Sequence, residues 1–183
     1  MRLIKIVVFS LFLLVTPIEI LAANYTTCFT PGQMCTELIV NKINNAKENI
    51  KVQAYSFTSK AIVNALVSAR ERGIDVFVLL DKSNVSSRYS VMNTLQQYKI
   101  SLLIDSRPKI AHNKVIIIDN EQVITGSFNF TVAAQTSNAE NVIIINDKSV
   151  AKEYLANFSK RATVSESLEN YCQHYKKCVK QES

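Results

Sequence analysis

The stretch HNKVIIIDNEQVITGSFN, residues 112–129, decides how this chain reads. Two apolar, β-branched runs, Val115 to Ile118 and Val123 to Thr125, flank the polar Asp119, Asn120, Glu121 and Gln122. That pattern predicts two antiparallel strands joined by a tight turn. With Asn120 and Glu121 as a two-residue loop, Asp119 pairs with Gln122, and counting back sets His112 opposite Asn129 and Lys114 opposite Ser127. Opposed and alternate residues share a face, so His112, Lys114, Ser127 and Asn129 form one polar quartet. Asp119 has the opposite parity and falls at the turn, in a structural or supporting role.

An imidazole, an ammonium, a hydroxyl and a carboxamide suit a phosphodiester. Lysine, serine and asparagine hold the non-bridging oxygens as charge builds, while a neutral imidazole nitrogen attacks phosphorus. Gly126 lets a ligand approach the backbone closely. A lone histidine in an apolar strand pair is more often an ordinary core or surface residue. The spacing HxKx4Dx6GSxN reverses those odds, because six residue types at fixed offsets recur by chance about once in 10⁷ to 10⁸ start positions.

With every position filled, the segment resembles the HKD signature of the phospholipase D superfamily. The similarity runs from about Tyr25 to Thr163 and is greatest to small single-motif members, the plasmid-type chelator-resistant endonucleases and short rickettsial-type phospholipases D. The resemblance implies a catalytic set of His112, Lys114, Asp119 and Glu140, with phosphate held by Lys114, Ser127 and Asn129. It also implies a covalent phosphohistidine at His112 and a carboxylate, matched here by Glu140, that accepts the Nδ1 proton and frees Nε2 to attack. From the residues alone, Glu140 reads equally as a solvated charge at a strand edge.

This two-step chemistry needs a second acid to protonate the leaving oxygen and then activate water. The other histidine, His174, opens an HxK tripeptide with Lys176, but Gln181 stands where an aspartate is required and the sequence given stops at Ser183. The second acid is therefore expected from His112 of another subunit, in a homodimer whose active site is shared across the two-fold axis. No metal or other cofactor is expected, since the motif lacks the carboxylate clusters and the His/Cys quartets that hold one.

Residues 1–23 read as a signal peptide: Arg2 and Lys5 precede an apolar run from Ile6 to Val15, and small residues close at Ala22 and Ala23. A retained membrane anchor is the rival, although Pro17 and Glu19 interrupt the span such an anchor needs. Cleavage leaves 19 basic and 14 acidic residues, a net charge of +5, which favours nucleic acid or an anionic membrane as partner. Four cysteines suit an oxidising compartment. Two local disulfides, Cys28 with Cys35 and Cys172 with Cys178, are the preferred pairing, and a zinc site of Cys172, His174 and Cys178 is the alternative. An Asn-X-Thr glycosylation triplet at Asn129 would block the phosphate site, so a bacterial periplasmic or secreted location fits better than a eukaryotic lumen.

Helical spacing of Leu38, Ile39, Ile43 and Ala46, and again of Ile62, Ala65, Leu66 and Ala69 behind Ser59, alternates with apolar strands at 50–55, 74–80 and 100–104. Met92 and Leu95 mark a short helix, Val142 to Ile145 a strand, and Ser149 to Phe158 a final amphipathic helix. The expected fold is a single α/β domain, a mixed β-sheet flanked by helices over residues 24–165, followed by a basic Cys-containing tail at 166–183. The expected activity is an exported, metal-independent endonuclease acting on DNA or RNA. Phospholipase D activity on phosphatidylcholine-type lipids is the alternative, and a non-catalytic nucleic-acid or envelope-binding module the third reading.

Overall fold

The computed structural model describes residues 24–175 and residue 178. The expected signal peptide and the remaining C-terminal residues lie outside the described residues. Along the chain run β1 (Asn24–Thr30), α1 (Cys35–Asn44), β2 (Asn49–Ala54), α2 (Lys60–Glu71), β3 (Asp75–Asp81), α3 (Ser83–Ser86), α4 (Met92–Gln97) and β4 (Ser101–Asp105). Then come β5 (Lys114–Ile118), β6 (Gln122–Gly126), α5 (Val132–Thr136), β7 (Glu140–Asn146), α6 (Lys148–Ala162) and α7 (Leu168–Tyr175).

The strands form one mixed sheet in the order β1-β7-β6-β5-β2-β3-β4. β2, β3 and β4 are parallel, and every other neighbouring pair is antiparallel. The β5 sequence explains its central place: it is buried along its whole length, with Ile116 and Ile118 in one core and Val115 and Ile117 in the other. The first core is filled by Ile39 and Ile43 of α1, Ile62 and Leu66 of α2 and Leu95 of α4. The second is closed by Ala151 and Phe158 of α6. Helix starts follow the chemistry of their residues: the Ser59 hydroxyl accepts the Ile62 N–H at 3.4 Å, and the Asp147 carboxylate accepts those of Ser149 and Val150 at 2.7 and 3.1 Å.

Three expectations change. The hairpin register is one residue different from that expected, because Ile118 pairs with Gln122 and Ile116 with Ile124. The turn centres on Asp119 and Asn120, at φ 53° and 58°, with the Glu121 N–H closing onto the Ile118 carbonyl at 3.0 Å. A tight hairpin turn of this hand needs positive φ at both central residues, which Asp and Asn tolerate and Glu does not. β1, whose sequence NYTTCFT has no apolar alternation, adds an edge strand against β7 and is tied to α1 by the Cys28–Cys35 disulfide.

The segment after Val164 is also more than a patternless tail. Glu166 exchanges backbone hydrogen bonds with Ile104 at 2.7 and 3.0 Å, and α7 buries Tyr171 against the first core. Cys172 and Cys178 form a disulfide and His174 Nδ1 lies 2.9 Å from Glu166, so the zinc alternative does not fit.

The third concerns Asp119, which stands at the opposite end of β5 from Lys114, in the structural place its strand parity implied, and not beside the other members of the catalytic set that the resemblance implies. Its carboxylate accepts the N–H groups of Lys47, Glu48 and Asn49 at 2.8 to 3.1 Å, pinning the α1–β2 loop to the hairpin. Asp119→Ala removes these charge-assisted bonds from a positive-φ site, and about 1–2 kcal/mol of stability is expected to go with them. Thermal unfolding should shift down by several degrees, while kcat stays within about twofold of wild type.

Candidate active site

One edge of the sheet collects the ends of β2, β3, β4 and β6 and the starts of β5 and β7. β4 and β5 are consecutive in the chain but separated in the sheet by β3 and β2, so residues 106–113 cross both strand ends. That crossing is fastened along its length. Lys82 Nζ donates to the carbonyls of Ser106 and Pro108 at 3.2 and 2.8 Å, and the Ala111 N–H donates to the buried Asp81 carboxylate at 2.7 Å. The Tyr55 N–H then reaches the Asn113 carbonyl at 2.8 Å, which fixes where His112 emerges.

His112 is exposed, whereas Lys114 beneath it is only 7% exposed. The ammonium donates to the His112 carbonyl at 2.9 Å and sits 3.0 Å from His112 Nδ1. Burial pushes the Lys114 pKa below its ordinary value, and the negative charge of Glu140 partly restores it. Tyr55 completes the group: its ring centroid lies 4.6 Å from that of the imidazole and 5.4 Å from Lys114 Nζ. Tyr55 carried no signal in the sequence, where it reads as the last residue of an apolar strand.

Glu140 opens β7. Its Oε2 accepts the Ser127 hydroxyl at 2.5 Å and its Oε1 the Asn138 amide at 3.0 Å. The expected bond from Glu140 to His112 Nδ1 is therefore not formed here. A charged Lys114 makes Nδ1 an acceptor, and the proton of the neutral ring then sits on Nε2. Ser127 is brought to Glu140 by a bulge: the N–H groups of Ser127 and Phe128 both donate to the Asn141 carbonyl, at 3.1 and 3.3 Å. Continuing the observed strand register sets Gly126, not Ser127, opposite Lys114, so this bulge rather than simple opposition delivers the hydroxyl. Asn129 follows, with its side-chain Oδ1 buried and without a partner among the described residues.

The structure thus brings together His112, Lys114, Ser127 and Glu140, places Asn129 on the same loop, and leaves Asp119 at the other end. Among the described residues no group of three His, Cys, Asp or Glu side chains is arranged to hold a metal ion. An exposed imidazole over a buried ammonium, beside a hydroxyl and a carboxylate, defines a site for phosphate chemistry. Residues 39–162 match the family model described as "Cardiolipin synthase, PLD-like domain", and the chain belongs to that family within the phospholipase D superfamily, as a phosphoric diester hydrolase. It is 50% identical over 150 residues to Phospholipase D of Rickettsia prowazekii (strain Madrid E), covering 82% of this chain and 73% of that protein. Among solved structures it is similar to Nuc from Salmonella typhimurium, a phospholipase D family member, with TM-score 0.76 and 38% identity over 79% of this chain and 97% of that one. NucT from Helicobacter pylori shares the fold at TM-score 0.75 and 24% identity, covering 80% of this chain and 100% of that one.

Proposed function

We propose that the chain hydrolyses the headgroup phosphodiester of phospholipids through a covalent phosphohistidine at His112, as a homodimer with a joint active site. The observation that carries the chemistry is the packing of the exposed His112 ring against Lys114 Nζ and Tyr55 at one end of the sheet. The rickettsial relative named Phospholipase D, at 50% identity over most of the chain, favours the lipid over the nucleic acid expected from sequence. Similarity to Nuc, at 38% identity, favours the second reading, an endonuclease.

Substrate binding reorganises the hydrogen bonds. A phosphate over the site draws the Lys114 ammonium off Nδ1 and the Ser127 hydroxyl off Glu140, since both are donors and phosphate oxygens accept strongly. Nδ1 and the Glu140 carboxylate, each losing its partner, then suit one another: the ring proton moves to Nδ1 and Nε2 is free to attack phosphorus. The P–O bond to the leaving group breaks as the N–P bond forms. The His112 of the second subunit protonates the departing headgroup oxygen and later deprotonates the water that releases phosphatidate from the ring.

Exposed Phe29, Met34 and Val132, near the end of β1 and on α5, give an uncharged apolar surface at this edge for the second copy. Sedimentation of an active dimer is expected, and an active monomer at every dilution overturns the joint site. For the substrate, mature protein and His112→Ala are incubated in chelator with labelled phosphatidylcholine, plasmid DNA and RNA. Release of choline by wild type alone is the expected result, and cleavage confined to DNA or RNA replaces the lipid reading with the nuclease.

A further inference from the structure

The exposed large apolar side chains near the active site fall into two groups that differ in the charge around them. Phe29, Met34 and Val132 lie on the β1 and α5 side, among Gln33 and Gln135. Tyr89 and Ile110, 72% and 49% exposed, lie on the β3 and β4 side, in loops that also expose Arg88, Arg107 and Lys109. The Arg88 guanidinium stands 5.4 Å from the Tyr89 ring centroid. Arg107 is within electrostatic range of Glu166, which offsets part of its charge.

From this second group we infer a membrane-docking surface: Tyr89 and Ile110, with Arg88, Arg107 and Lys109 exposed on the same two loops, seat the enzyme in the headgroup layer of an anionic phospholipid bilayer. The inference rests on the phospholipid reading above and names where that substrate is met. Exposed apolar residues on loops that also expose basic ones match a surface that is negatively charged outside and hydrocarbon within. A second copy of the chain is a poor occupant, because a two-fold contact sets a basic loop against its own like charges. Nucleic acid would engage the arginines and lysine through phosphate, but it offers nothing to an exposed Ile110.

The placement also serves the chemistry. Ile110 precedes His112 by two residues, and the intervening Ala111 is held by Asp81 while Lys82 grips the carbonyls of Ser106 and Pro108. The loop is fastened to β3, so the depth at which Ile110 sits in the lipid sets the height of His112 above the headgroups. Among the described residues no helix is long and apolar enough to cross a membrane.

The experiment compares wild type with the double variant Tyr89→Ser, Ile110→Ser, after equal melting temperatures have shown both to be folded. Co-sedimentation is measured with vesicles of phosphatidylcholine containing phosphatidylglycerol, and hydrolysis is measured on the same vesicles and on monomeric short-chain phosphatidylcholine. The variant is expected to lose about tenfold in vesicle affinity and in vesicle hydrolysis, with monomer hydrolysis unchanged. Arg88→Ser with Lys109→Ser is expected to weaken binding only where phosphatidylglycerol is present. Wild type that does not sediment with vesicles, or a double variant that sediments equally well, overturns the docking surface. Wild type that sediments but cleaves neither lipid form leaves the surface standing and overturns the phospholipid reading instead.

Discussion

His112→Ala is expected to remove turnover on every phosphodiester the enzyme accepts, by on the order of 10⁴-fold or more, while leaving the melting temperature close to wild type. Both halves of that result follow from position. The imidazole is exposed, and of the neighbours described here Tyr55 and Lys114 stay anchored without it: Tyr55 through Asn84 and Asn113, Lys114 through the backbone carbonyl of residue 112. Chemistry depends on the ring because the exposed imidazole is the group set 3.0 Å from the buried ammonium. Acid quenching of wild type during turnover should trap phosphorus on the peptide that contains His112, and the label should be absent from the variant. A variant that turns over at the wild-type rate, or a label found on another peptide, removes the covalent mechanism.

Gly126→Ala should have the largest effect on the fold of any single methyl group added near the site. A Cβ built there lies 2.2 Å from the Asn141 carbonyl oxygen and 3.0 Å from its carbon, and φ is +145°, where L residues are strained. The carbonyl cannot give way, because it accepts the two N–H groups that form the bulge before Phe128. Relief requires β6 and β7 to separate at this end, at an expected loss of about 3 kcal/mol or more, or about 10 °C in melting temperature. Ser127 and Glu140 then lose register with Lys114, so catalysis should fall even at temperatures where the variant is folded. Activity and melting temperature near wild type would mean that the bulge does not position the site.

Reading the sequence recovered the alternating elements because each has a strong local signature: the helical spacing of Ile62, Ala65, Leu66 and Ala69, or the unbroken apolar run of β5. β1 escaped because an edge strand buries little, and only Cys28 and Thr30 of its seven residues are buried. α7 escaped because Tyr171 is its one fully buried residue, with Leu168 half-buried beside the core. In the site, the spacing set the histidine, lysine, serine and asparagine on one hairpin, and the structure keeps them at one end of it. Their connections were not, since a hairpin register depends on which two residues accept positive φ, and the partners of Glu140 depend on a bulge that leaves no periodic trace. Tyr55 belongs to a different strand from the motif, and only the sheet order brings it under the imidazole.

The crossing from β4 to β5 has one more implication. It bridges three inter-strand spacings, roughly 14 Å, with eight residues whose extended reach is roughly 27 Å. About half of its contour is therefore in excess of the span, and the bonds from Lys82 and Asp81 hold that excess in one path. Insertions or deletions in that crossing would alter the shape of the entrance and the height of the nucleophile while leaving the ladder of the sheet untouched. Substrate preference can then drift between members of such a lineage through the length of one span, on an unchanging platform.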